Sequence, residues 1–283
     1  MADANRGQLA AWGRRATQLG VKAVAAGRDL IAAPVPGVTV LIYHRVGRRT
    51  AMEVDLPTGV FADQIAWLTG NGLVIGLDDA LRRLGSDDPA DHDDAVVLTF
   101  DDGTADFADV AVPILEDHGA PATIYVATDH LEHQREFPED GIPLSWAALA
   151  DTVSTGLVTV GSHTNTHLLL DRATPAEAAA ELDRSIELIG ERLSVRADHF
   201  AYPKALPASG AVEDEVRARF RSAAVAGTVP NRFGDTDPFR LARSPIQVGD
   251  PGWAFRRKAR GGMRLENDLR SMRNRSRYAD LTT

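Results

Sequence analysis

An apolar run closes on Leu98-Thr99-Phe100-Asp101-Asp102-Gly103, and about sixty residues later the chain reads Gly161-Ser162-His163-Thr164-Asn165-Thr166-His167. Two adjacent carboxylates followed by two imidazoles four positions apart supply the oxygen and nitrogen donors that bind a divalent ion and leave coordination positions open. Three of the four side chains could hold one ion, which makes metal-assisted hydrolysis the chemistry to test. Neighbouring side chains in extended or turning backbone point in different directions, so one carboxylate can bind a metal while the other faces an attacking water. Gly103 admits positive φ or a close backbone approach. The plainer alternative for Asp-Asp-Gly is a solvated turn with capping aspartates. His163 and His167 are spaced as on one helical turn, and a loop could juxtapose them equally well.

These groups must be delivered by a scaffold, and the hydrophobic pattern describes one. Val38–Tyr43 reads as a strand buried on both faces with His44-Arg45 at its carboxyl end. The pattern then predicts a helix over 60–70, a short strand over 73–75 and a helix over 78–84. After an acidic loop at 85–94, Ala95–Phe100 is the strand that delivers Asp101 and Asp102. A helix over 107–118, a strand over 122–126, a helix over 146–154 and a strand over 157–161 follow, the last ending on Ser162-His163. A helix over 175–192, with proline at its first turn, precedes a strand end at 199–203, a helix over 212–220 and a strand over 223–225. Alternation of this kind implies a parallel sheet wrapped by helices, whose sites lie at the carboxyl ends of strands.

The 283 residues suit one α/β domain plus extensions. We divide them into an N-terminal helical extension (1–36), a catalytic domain (37–250) and a basic C-terminal tail (251–283). Cysteine is absent, which excludes disulfides, thiolate metal sites and cysteine nucleophiles, so any metal must sit on His, Asp or Glu. A net charge of -9 argues against nucleic acid or anionic membrane as partners, although 253–283 carries nine Lys+Arg against three Asp+Glu. There is no apolar run long enough for a membrane span. Arg14, Arg15, Lys22, Arg28 and Asp29 interrupt any signal-peptide core, so a cytoplasmic location is expected. Leu9, Trp12, Leu19, Val21, Val24 and Leu30 outline a helix with one apolar side. Oligomeric state is not legible.

The two motifs, Thr99-Phe100-Asp101-Asp102-Gly103 and His163-Thr164-Asn165-Thr166-His167, resemble the first two motifs of the polysaccharide deacetylases, the NodB-homology domain of carbohydrate esterase family 4. The resemblance spans roughly residues 38–248. It implies a distorted (β/α) barrel of about seven parallel strands and metal-dependent removal of N-acetyl or O-acetyl groups from a sugar or glycan. In that reading Asp101 is the general base, and Asp102, His163 and His167 are the metal ligands. Such a His2Asp set favours Zn2+, with Co2+, Ni2+ or Mn2+ also compatible.

Phe200-Ala201-Tyr202-Pro203-Lys204 resembles the third motif in a FAYP-type form, which implies that the backbone N–H of Tyr202 or Lys204 contributes to an oxyanion hole. The common form has an arginine where Ala201 stands, bracing the catalytic aspartate. Arg243, in Phe239-Arg240-Leu241-Ala242-Arg243, is the candidate replacement, with a purely structural salt bridge as the other reading. Leu41-Ile42-Tyr43-His44-Arg45 resembles the opening strand of a permuted branch and makes His44 the candidate general acid, against a structural histidine. Three rival functions stand beside deacetylation. One is hydrolysis of a non-sugar amide. Another is a haloacid-dehalogenase-type phosphatase, whose Asp-x-Asp spacer is missing here. The last is an inactive domain that binds a glycan or partner.

Overall fold

The computed structural model describes residues 35–263. The amphipathic N-terminal stretch and the tail beyond residue 263 lie outside the described residues. Seven parallel strands close into a barrel: β1 (Val38–Tyr43), β4 (Ala95–Phe100), β5 (Ala122–Val126), β6 (Val158–Ser162), β7 (His199–Ala201), β8 (Ser222–Ala226) and β9 (Leu241–Pro245). β1 is the closing strand, pairing with β4 along its whole length and with β9 on its other edge. β2 (Arg45–Val46) and β3 (Asp55–Leu56) form a small parallel pair just beyond the end of β1.

The helices are α1 (Thr58–Gly70), α2 (Leu77–Leu84), α3 (Val112–Asp117), α4 (Thr128–His133), α5 (Trp146–Ser154), α6 (Pro175–Leu193), α7 (Ala211–Arg219) and α8 (Gly252–Ala259). Local chemistry marks their ends. Ser145 caps α5 by accepting from the Ala148 N–H at 3.1 Å, and Thr174 and Glu177 form a reciprocal capping box on α6 with Pro175 behind it.

Strand periodicity decides what faces the site. On β4, Val96, Leu98 and Phe100 join the larger core that packs against the helices, whereas Ala95 and Val97 join a second core with Val38, Val40, Tyr125, Ala201, Ala224 and Leu241. Alternation places Thr99 and Asp101 in the same column as Ala95 and Val97, and Arg243 in the column of Leu241. Apolar residues thus fill the lower part of these columns and polar ones their carboxyl end. Outside, Tyr43, Phe61, Phe100 and Phe107 form a ring cluster with centroids 4.8 to 5.9 Å apart, which ties the ends of β1 and β4 to α1.

The structure differs from the sequence reading in four places. Residues 73–75 make only a bridge, with Ile75 N–H donating to Val96 C=O and Val96 N–H to Leu73 C=O, because β5 takes that edge of β4 from Leu98 onward. The helix expected over 107–118 is a π-helical turn (Phe107–Ala111) followed by α3, because Pro113 lacks the N–H that an unbroken helix needs. β9 was not foreseen as a strand, since Ala-Arg-Ser-Pro is not an apolar run. The basic segment assigned to a tail from residue 251 begins with α8, whose Phe255 enters the core against Trp67, while Lys258 is wholly buried on Asp250 at 2.9 Å.

At Gly161 a side chain has no room: a Cβ there would lie 2.6 Å from the Tyr125 ring and 2.7 Å from the His199 carbonyl oxygen. The second contact is backbone and cannot rotate away. Gly161→Ala is therefore expected to cost about 1–3 kcal/mol, seen as a lower urea midpoint with unchanged slope.

Candidate active site

The carboxyl end of β4 releases Asp101, and barrel closure brings Arg243 onto it. Arg243 Nη1 donates to Asp101 Oδ1 at 2.6 Å and Nη2 donates to Oδ2 at 2.8 Å, a two-pronged pair in which Arg243 is 0% and Asp101 4% exposed. Nη1 also reaches the Thr99 hydroxyl at 3.2 Å, and that hydroxyl donates to the Leu41 carbonyl at 2.7 Å. The guanidinium carbon lies 5.2 Å from the Tyr125 ring centroid. Burial alone would raise the Asp101 pKa. The charge of Arg243, then that of His163, and the hydrogen bonds from Arg243 outweigh it and hold the carboxyl below its ordinary value. Asp101 is accordingly a carboxylate at neutral pH, its orientation fixed from one side.

Asp102 leaves the column of Asp101 because its backbone turns left-handed at φ 74°, followed by Gly103 at φ 98°. Its Oδ1 faces two imidazoles, 3.5 Å from His167 Nε2 and 3.7 Å from His163 Nε2. The histidines reach this point on a loop rather than a helix, with Thr164 and His167 at φ 64° and 62°. His163 is 1% exposed, and its Nδ1 donates to the Ala201 carbonyl at 2.7 Å, which leaves the Nε2 lone pair directed at Asp102. Burial, against the opposing pull of Asp101, pushes the His163 pKa down to about 4, so the ring is a neutral donor at pH 7. For Asp102, burial is overcome by the His167 hydrogen bond and the nearby histidine charges, and its pKa falls far below the usual carboxylate range.

One donor atom from each of Asp102, His163 and His167 lies within 4.8 Å of the others. Two donors each about 2.1 Å from one ion stand about 3.4 Å apart in tetrahedral geometry, close to the separations from Asp102. The donor set and the fixed His163 tautomer fit a divalent ion.

His44 follows β1 on the strand beside β4: Tyr43 pairs with Phe100, and the Asp101 N–H donates to the Tyr43 carbonyl at 3.1 Å. It is half-buried, its charge acts on both Asp101 and Asp102, and its buried Nδ1 has no hydrogen-bond partner. Of the two oxyanion candidates, Tyr202 has its backbone N–H on the Ala224 carbonyl at 3.1 Å and its buried ring edge-on to Phe200, its hydroxyl without a hydrogen-bond partner. Lys204, two residues on, is exposed at φ 53°, and its N–H donates to no group among the described residues.

The sequence reading missed the supports. Thr99 and Tyr125 on the Arg243 side looked like ordinary strand residues. Glu181 and Ser185, which hold the histidine loop, sit on a surface helix whose pattern carries no functional signal.

A closed barrel of seven parallel strands, with carboxylates and imidazoles gathered at the carboxyl end of its strands, is a (β/α) barrel of the NodB type. The family model for polysaccharide deacetylase matches residues 88–225. YxkH of Bacillus subtilis (strain 168), a protein named for the same family, is 25% identical over 164 residues, covering 58% of this chain and 55% of its own length. The chain thus spans little more than half of that curated relative. IcaB from Ammonifex degensii superposes with a TM-score of 0.67 at 23% identity, covering 80% of this chain and 97% of that one. The Streptococcus pyogenes deacetylase PplD in complex with acetate gives a TM-score of 0.67 at 21% identity, over 84% and 99% of the two chains. The stretch matched by the family model contains Asp101, Asp102, His163, His167 and Lys204 but neither His44 nor Arg243. Those two enter only because β1 and β9 close the barrel.

Removing Arg243 leaves a buried, unpaired carboxylate. Arg243→Met is expected to lower stability at pH 7 by about 3–5 kcal/mol. It also moves the Asp101 pKa upward, since only the histidine charges then oppose burial. The variant's deficit should therefore shrink as pH falls toward the ordinary carboxylate value near 3.9, a trend that urea titrations across pH can follow.

Proposed function

We propose that this protein removes acetyl groups from an N-acetylated or O-acetylated sugar or polysaccharide, using a divalent ion, with zinc favoured, held by Asp102, His163 and His167. The observation that carries the reading is the pairing of an ionised, arginine-braced carboxylate with an adjacent three-donor cluster at one barrel mouth. When bound, the ion would polarise the acyl carbonyl and make water more acidic.

The protein's own groups do the rest. Asp101 accepts a proton from the attacking water at the Oδ that faces the cleft, and Arg243 keeps that carboxylate from rotating or protonating. The Lys204 N–H donates to the developing oxyanion, a contribution of roughly 3–4 kcal/mol for a well-placed donor. His44 gives a proton to the departing sugar nitrogen or oxygen. His163 and Asp102 stay unprotonated around neutral pH, which keeps the donor atoms free.

Acetate release from acetylated chito-oligosaccharides tests this. Chelator should abolish release and zinc restore it. Asp101→Asn should lower kcat by about 10²–10⁴-fold while zinc binding persists, whereas Asp102→Ala should lose zinc binding and activity together. Undiminished release by a folded Asp101→Asn protein would remove the base assignment.

A further inference from the structure

The loop between the two histidines is held from outside by one face of α6. Glu181 Oε2 accepts the N–H of Asn165 at 3.0 Å and of Thr166 at 2.8 Å, and its Oε1 accepts the Thr166 hydroxyl at 2.9 Å. One turn further along the helix, Ser185 is wholly buried with its hydroxyl 2.7 Å from that of Ser162, whose oxygen accepts the Thr164 N–H at 3.2 Å. Positions i and i+4 of one helix thus engage, directly or through Ser162, three consecutive N–H groups between His163 and His167. The other side of the loop is tied to α4, where Asp129 N–H donates to the Asn165 carbonyl at 2.8 Å and the Thr128 hydroxyl to its side-chain oxygen at 2.9 Å.

The loop needs such support. Thr164 and His167 both sit in the left-handed region, which is unfavourable for residues with a Cβ and especially for a β-branched one. The two histidines also differ in how they are fixed. His163 is buried and pinned through its own Nδ1 to Ala201. The His167 side chain is 25% exposed, and its ring has no hydrogen-bond partner outside the cluster among the described residues. Its position therefore depends on the backbone that Glu181 holds.

We infer that Glu181, supported by Ser185, is a positioning residue that sets His167 for metal binding. The inference rests on the metal reading above and adds a group that touches neither metal nor substrate. A charged acceptor of three hydrogen bonds keeps the strained loop from relaxing to a form in which His167 leaves Asp102.

The test is zinc affinity of the purified chain, measured by competition with a chromogenic chelator. Glu181→Ala should weaken zinc binding by about 10–100-fold. Glu181→Gln, whose amide oxygen can still accept both backbone N–H groups, should stay within a few-fold of the parent. In a His167→Ala background, Glu181→Ala should add almost nothing, because the residue through which it acts is gone. A merely structural role predicts the same proportional loss in both backgrounds, and that result would overturn the inference, as would unchanged affinity in Glu181→Ala. Should the alanine protein fail to fold, Glu181→Met keeps the stem, deletes the acceptors and carries the same expectation. A parent protein that binds no zinc overturns the metal reading itself. A parent that binds zinc no more tightly than its Glu181→Ala variant overturns this inference alone.

Discussion

The buried pair between Arg243 and Asp101 is the constraint around which the mouth of the barrel is organised. It joins β9 to β4 across the closing strand β1 and takes two charges out of water. Such a pair is tolerable only when its geometry is good; Thr99 and the face of Tyr125 add to its support, while the buried Arg243 Nε has no hydrogen-bond partner. Small residues at Ala201 and Ala224 accompany it in the interior columns. The arginine that the third motif usually supplies from β7 is absent there, and its guanidinium arrives instead from the last strand.

The second organising feature is the separation of Asp101 from Asp102. They are adjacent in sequence, yet one continues the alternation of β4 into the interior column while the other is thrown aside by a left-handed backbone. The same conformation recurs at Thr164 and His167, so much of the three-donor cluster is built on backbone that no regular element would supply. Strain of this kind persists only where surrounding hydrogen bonds over-determine it. Here α4 and α6 provide them, from residues that face the loop's back.

Much of the scaffold was legible because buried parallel strands are continuous apolar runs, and their carboxyl ends announce themselves by a sudden change to Asp, His or Pro. Val38–Tyr43, Ala95–Phe100 and Ala122–Val126 coincide with the strands observed. Leu241–Pro245 escaped because a strand that carries the bracing arginine lacks that pattern, and residues 73–75 misled because a short apolar run is ambiguous. The hydrogen bond that occupies the Tyr202 N–H was illegible for a different reason. Whether a backbone N–H is free depends on the neighbouring strand, and Ala224 had already engaged it.

By itself the sequence determined the class of scaffold and the identity of the polar groups at the strand ends, since periodicity, turn residues and motif chemistry are local properties. Tertiary structure decided which groups meet. Arg243 and Asp101 are 142 positions apart, and His44 joins them only because β1 lies between their strands. Glu181 becomes a support for His167 only because α6 packs behind the loop. Strand register, barrel closure and helix placement set these contacts, and no local pattern encodes the distance between residues so far apart along the chain.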